Sequence, residues 1–186
     1  SDADFPEGTS SYRTFVNQKL SRSPVLWVGA NDGMLHGLDA SNGLPLMSYV
    51  PSSLVARLGS ALSASNRDAV ALMDGSPFTG DVLVASARGF RPAGATKAWR
   101  TYLFSSLGRG GRAVFALDVT DPVQFSSANS APQAFKWVFS SQDDADLGYQ
   151  LLDPVRHANS GQPSQIVYLN NGDFGLLVPN GNGSAQ

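Results

Sequence analysis

"VGANDGMLHGLDASNG", residues 28–43, decides how this chain is read. Asn31-Asp32-Gly33 lies between apolar runs, and Ser41-Asn42-Gly43 closes the stretch. As a ligand loop it would hold a metal or a phosphate. As a turn it joins two strands. Asn-Gly and Asp-Gly between apolar runs are the strongest short hairpin signal, because a type I′ turn needs positive φ, which Asn, Asp and Gly tolerate. The turn reading is preferred on that ground. Asp39 and Asp118, each at a strand end, are expected to accept backbone N–H groups of the following turn.

The same rhythm returns in "FSSLGRGGRAVFALDVTDP", residues 104–122. A strand reaches a Gly-rich turn, a second strand ends at Leu117-Asp118, and a polar turn follows, as Leu38-Asp39 precedes the first. "PLMSYV" and "AFKWVFS" supply a third strand in each case. Strand-length runs fill the rest from Pro24: "AVALM", "DVLVAS", "RTYLFS", "GYQLL", "QIVYL" and "DFGLLV", mostly separated by turn residues. Repeated antiparallel meanders of about 40 to 50 residues are how propeller blades appear in sequence. The fold class expected is all-β, a partial β-propeller. Its strands fall short of the four to eight four-stranded blades that close a ring, so further blades or another chain should cover its open edges.

One internal segment reads as a helix, "PSSLVARLGSAL", with Ser52 or Ser53 as N-cap and Leu54, Val55, Leu58 and Leu62 on one stripe. Residues 1–23 form a polar lead-in, either helical or lying on the surface, and 24–186 form the propeller portion. Two long loops are expected, Ala87–Ala98 and Thr120–Gln133.

Composition agrees with short strands and many turns. Charged residues are 15% of the chain, against roughly 25% in an average soluble domain, and there are 19 Gly and 11 Pro. A net charge of −2 gives no electrostatic reason to bind nucleic acid. No apolar run is long enough to cross a bilayer, so no membrane insertion is expected. The absence of cysteine excludes disulfides, thiolate metal sites and a cysteine nucleophile.

Candidate chemistry is sparse. Asp143, Asp144 and Asp146 offer oxygens, but without the spacing of a calcium loop, and are read as a solvated turn. "SLGRGGR" is followed by a strand where a phosphate loop must open a helix, so it is read as a hairpin turn with Arg109 and Arg112 exposed. His36 and His157 have no partner at catalytic spacing, and His36 is expected to be packed or hydrogen-bonded. Trp27 and Trp137 are expected between sheets. Trp99, flanked by Lys97 and Arg100 at the end of a basic loop, is expected to be exposed as a contact residue.

"VGANDGMLHGLDASNG", "YVPSSL", "DGSP", "GRGGRAVFALDVTDP", "DADLGY" and "NGNG" follow one another as they do in the C-terminal propeller of the PilC/PilY family, proteins associated with type IV pilus tips, which this chain resembles. "NRDAVALM" before "DGSP" departs from the family pattern. The resemblance implies an eccentric, quinoprotein-like propeller that is exported to the cell surface, pilus tip or outer membrane. It also implies roles in pilus assembly, adhesion and twitching motility, with minor pilins, a host receptor or a surface, and the remaining blades as partners. The family's Asp-rich calcium loop has no counterpart here, so no cofactor or metal is assigned to this chain. The contact residues expected are Arg88, Phe90, Arg91, Lys97, Trp99 and Arg100, with no catalytic role. The rival readings are a quinone-dependent dehydrogenase, whose vicinal cysteines are missing, and a purely structural scaffold.

Overall fold

The computed structural model describes residues 11–63, 70–85, 96–127, 131–151, 153–158 and 163–184. Helix α1 (Tyr12–Lys19) precedes a three-stranded meander of β1 (Val25–Gly29), β2 (Leu35–Asp39) and β3 (Pro45–Tyr49). Helix α2 (Ser52–Ser63) links it to a four-stranded meander of β4 (Phe78–Ala85), β5 (Lys97–Ser106), β6 (Ala113–Asp118) and β7 (Phe135–Ser140). A hairpin of β8 (Ile166–Tyr168) and β9 (Phe174–Leu176) follows, and every pairing is antiparallel. This is the expected partial propeller.

The middle sheet is covered on both faces. Alternation sends Leu103, Ala113, Phe115 and Leu117 toward Trp27, Leu35, Met47 and Tyr49 of the first sheet, with Leu54 and Leu58 of α2 closing that core. The opposite face, with Val82, Phe104 and Ala116, meets Ile166, Phe174 and Leu176 of the last hairpin. Strand β6 is consequently buried at all six positions, which is why it reads as an unbroken apolar run. Trp27 packs over Gly37, where a Cβ would stand 2.7 Å from its ring, and meets Phe125 edge-on at 5.7 Å. Trp137 lies 6.2 Å from Phe104.

The repeat is repeated in fine detail. A register shift interrupts the pairing at Gly37/Leu38 and again at Ala116/Leu117, each just before Leu-Asp. Asp39 Oδ1 then accepts the amide and hydroxyl of Ser41 at 2.8 and 2.6 Å, and Asp118 Oδ1 those of Thr120 at 3.0 and 2.6 Å. Both aspartates thus play the turn role expected of them, and these bonds hold the Asp39 carboxyl below its ordinary range.

The first turn differs in type from the expectation. Only Gly33 has positive φ (84°), and its amide bonds the Ala30 carbonyl while the Ala30 amide bonds that of Met34. This is a three-residue loop ending in a left-handed glycine, not a type I′ turn, so Asn31 and Asp32 avoid the left-handed strain. The β8–β9 turn copies it. Gly172 has φ 80°, its amide bonds Leu169, and Asn171 Oδ1 accepts the Asp173 amide as Asp32 Oδ1 accepts that of Met34.

Other expectations are corrected. Val70–Met73 of "AVALM" is not a strand, and Tyr149 of "GYQLL" makes only an isolated bridge to Asn182. Val55 faces solvent, away from the stripe of Leu54 and Leu58. The lead-in does form a helix, capped by Ser11, whose hydroxyl accepts the Thr14 amide. The Thr120–Gln133 loop carries a 3-10 turn over Pro122–Ser126, capped by the Asp121 carboxylate.

Tyr49, packed 5.2 Å from Phe115, and Tyr102 are both pushed up by burial from 10.0 to about 12, with the Asp118 charge adding to the effect at Tyr102. Because both folded values lie above the unfolded one, their contribution is intact below pH 10 and is lost between 10 and 12. Tyrosinate absorbance from these two residues should therefore rise together with loss of the circular-dichroism signal, above pH 10. Ionisation of all five tyrosines near pH 10 in a still-folded chain would contradict this packing.

Candidate functional site

Strands β4 and β5 pair from Phe78↔Phe104 to Ala85↔Lys97. Arg88, Phe90 and Arg91 of the expected contact loop lie outside the described residues. The other three expected contact residues stand in β5. Lys97 Nζ lies 2.9 Å from Asp173 Oδ1 and also donates to the Gly172 carbonyl, tying the base of the hairpin to the β8–β9 turn. Arg100 is half-buried opposite Val82.

Trp99 corrects the sequence reading: it is 5% exposed. Its ring lies 4.5 Å from Tyr12, 6.4 Å from Phe15 and 5.6 Å from Phe174, so α1 and β9 cover it from two sides. The strand begins at Lys97, and the cover comes from far along the chain, which local flanking charges cannot reveal.

The same helix is pinned by a carboxylate that sequence reasoning missed. Asp81, on β4 with its side chain 10% exposed, accepts Lys19 Nζ on both oxygens at 2.7 Å, the Tyr12 hydroxyl at 3.0 Å and the Thr101 hydroxyl at 2.8 Å. Arg22 donates to Thr101 Oγ1 and to the carbonyls of Val119 and Thr120. A charged residue at an inward strand position, in a chain with so few charges, was the available signal.

His36 was expected to lack partners at catalytic spacing, yet the structure supplies two. Its Nδ1 lies 2.8 Å from Ser48 Oγ and its Nε2 2.8 Å from Asp32 Oδ2. The register His36↔Ser48 places the first pair side by side, and the turn carries Asp32 over the ring. In the tautomer whose Nε2–H donates to Asp32, Nδ1 accepts from the serine hydroxyl, the hydrogen-bond order of a nucleophile relay. The three groups nevertheless lie on an open sheet face, with Asp32 47% exposed, where water competes for any developing oxyanion. Asp32 Oδ1 is meanwhile engaged in the turn. The arrangement fastens the first turn to β3, in line with the hydrogen-bonded histidine expected.

The Gly-rich turn is likewise occupied by the chain itself. A Cβ on Gly110 would stand 1.8 Å from the Leu72 carbonyl oxygen, one on Gly75 2.2 Å from that of Ser106, and one on Gly108, whose φ is 57°, 2.7 Å from the Asp74 carbonyl carbon. Asp74 donates its amide to Leu107, and its carboxylate accepts Arg109 Nε at 2.7 Å, which holds the acid below its ordinary range. "DGSP" and "GRGG" therefore form one backbone-to-backbone junction. Arg109 is exposed as expected, whereas Arg112 is half-buried and donates to the Gly183 carbonyl.

The acidic stretch also serves turn geometry. Asp143 Oδ2 accepts the amide and hydroxyl of Ser140, and Asp144 Oδ1 accepts the Asp146 amide. An apolar concavity of about 530 Å³ lies elsewhere, between Phe78, Phe104 and Val114 on the middle sheet and Leu151, Val155 and Leu177 from the last segments. Among the described residues no helix is long and apolar enough to cross a membrane.

Comparison with known proteins gives a consistent picture. The family model described as the PilY1 beta-propeller domain matches residues 3–186. "Type IV pilus biogenesis factor PilY1" of Pseudomonas aeruginosa strain UCBPP-PA14 is 29% identical over 180 residues, 96% of this chain and 13% of its own length. A Xylella fastidiosa protein named as a homolog of that factor is 32% identical over 178 residues, covering 95% of this chain and 10% of its own. The crystal structure of the Pseudomonas aeruginosa PilY1 C-terminal domain superposes with a TM-score of 0.58 at 31% identity, over 94% of this chain and 28% of that one. The chain thus spans a small fraction of its curated relatives.

Proposed function

This chain belongs to the PilY1 β-propeller family, and from that premise we propose that it acts in type IV pilus biogenesis as a non-catalytic binding and display portion of a tip-associated adhesin. One observation supports this reading more than any other. Groups that could have carried chemistry, Asp39, Asp118, Asp143, Asp144 and the Gly-rich turn, spend their hydrogen bonds and close approaches on the chain's own turns. Stacked sheets with fixed turns make a rigid frame that displays loops, the usual division of labour for binding surfaces. The surface location, the part in twitching motility and the partners, minor pilins and a host receptor or abiotic surface, belong to this proposal.

Within it, the contact role falls to Arg88, Phe90 and Arg91, while Lys97 and Trp99 anchor the hairpin that carries them. Replacing Arg88, Phe90 and Arg91 with serine in the pilus-bearing cell should leave the Trp99 environment and the folding transition unchanged while reducing attachment or surface piliation. Wild-type attachment, piliation and twitching in that variant would refute the display role of this loop.

A further inference from the structure

Arg22 carries a charge that no carboxylate balances among the described residues. Its Nη1 donates to Thr101 Oγ1 at 3.3 Å and to the carbonyls of Val119 and Thr120 at 3.3 and 2.9 Å, all of them neutral oxygens. Its Nε and Nη2 bond no group among the described residues. Lys19, Lys97, Arg109 and Lys136, by contrast, each lie against an aspartate. The half-buried Arg22 lines a concavity of about 380 Å³ between β1 and β4. Lys19 and Arg156 also line it, and among the described residues no Asp or Glu does. Thr79 and Thr101 bring hydroxyls to the same space, and Trp27 and Phe78 give it apolar walls.

We propose that this concavity binds an apolar monocarboxylate, its two oxygens on Nε and Nη2 of Arg22 and its apolar part against Trp27 and Phe78. Nε and Nη2 share one edge of the planar guanidinium, and two parallel N–H groups on such an edge match the two oxygens of a carboxylate. The chain already uses that edge elsewhere: Arg109 Nε and Nη2 reach the two oxygens of Asp74 at 2.7 and 3.4 Å. Three bonds to Nη1 fix the Arg22 head before any ligand arrives, which lowers the entropy lost on binding. A single negative charge is called for because Asp81 already neutralises Lys19, and its carboxylate would repel a dianion. The volume suits a small molecule, whose sites span about 300–1,000 Å³ and combine apolar walls with a few placed polar groups.

The test is a titration of the isotope-labelled 186-residue chain, followed by the Arg22 Nε–H and Trp27 indole resonances. The probes are N-acetylphenylalanine, its neutral amide, phenylacetate and inorganic phosphate. Both carboxylates should shift the two resonances saturably, and the amide should not; tighter binding of N-acetylphenylalanine than of phenylacetate would mark a peptide C-terminus as the source, and equal binding a free acid. Arg22→Lys keeps the charge but loses the fork, and should weaken binding about 10-fold, the worth of one charge-assisted hydrogen bond. Thr79→Leu, which narrows the concavity from β4 and leaves the bonds of Arg22 in place, should weaken it too, so the outcome does not hang on one variant's folding. Unmoved Arg22 and Trp27 resonances, an amide that binds as well as the acid, or full affinity in both variants would overturn the proposal. Phosphate binding more tightly than either carboxylate would also overturn it.

Discussion

Asp81→Ala is expected to cost about 3 kcal/mol and to lower the unfolding midpoint by about 6–12 °C for a chain of this size. The carboxylate is nearly buried and collects Lys19, Tyr12 and Thr101 at 2.7–3.0 Å. Its removal leaves the Lys19 ammonium, itself only 25% exposed, beside an emptied acceptor site. It also takes the carboxylate acceptor from two hydroxyls, each such bond contributing about 1 kcal/mol. Because α1 contributes Tyr12 and Phe15 to the cover of Trp99, the loss should be seen first as a red shift of tryptophan emission. Removing both charges, with Lys19→Met and Asp81→Leu, should cost less than Asp81→Ala alone, since no unpaired charge then remains. A midpoint unchanged by Asp81→Ala would mean that α1 is not held as described.

Gly110→Ala should destabilise by about 3 kcal/mol or more, at the upper end of overpacking costs. The added carbon would meet the Leu72 carbonyl oxygen at 1.8 Å and its carbon at 2.4 Å, both backbone atoms with no rotamer by which to retreat. Either the Gly-rich turn or the "DGSP" segment has to move, and with it the pairing of Asp74 with Leu107 and Arg109. The matched control is Gly59→Ala in α2, where an added Cβ meets nothing within 4 Å. There the same substitution should stabilise, by about 0.5–1 kcal/mol, through helix propensity. Denaturant titration of both variants measures the contrast, and equal effects would deny the junction.

Much of the architecture was legible because it is written in local pattern. Leu-Asp before a polar turn marks both shifted registers, and the aspartates act through atoms two residues away, a range sequence spacing can follow. What stayed hidden depends on distant partners. Trp99 reads as exposed until Tyr12 is brought 87 residues across the fold to cover it. The His36 chain needs β3 in register to deliver Ser48. "LNNGDFG" carries the same turn as "ANDGMLH", yet with Asn171 at the place of Asp32 and Asp173 at that of Met34 the likeness lies in φ and hydrogen bonds more than in letters. The Gly-rich stretch was correctly separated from a phosphate loop by the strand that follows it. Its actual use, to admit another backbone, is visible only once Leu72 is placed beside Gly110.

The central claim is that the β4–β7 sheet is a middle blade, covered on one face by the first meander and on the other by the last hairpin. Residue-resolved hydrogen exchange tests it most directly. Amides of Ala113–Asp118 should be the slowest in the chain and exchange only through global unfolding, with β8–β9 opening at lower free energy. Exchange in β6 as fast as in β8–β9 would contradict the account.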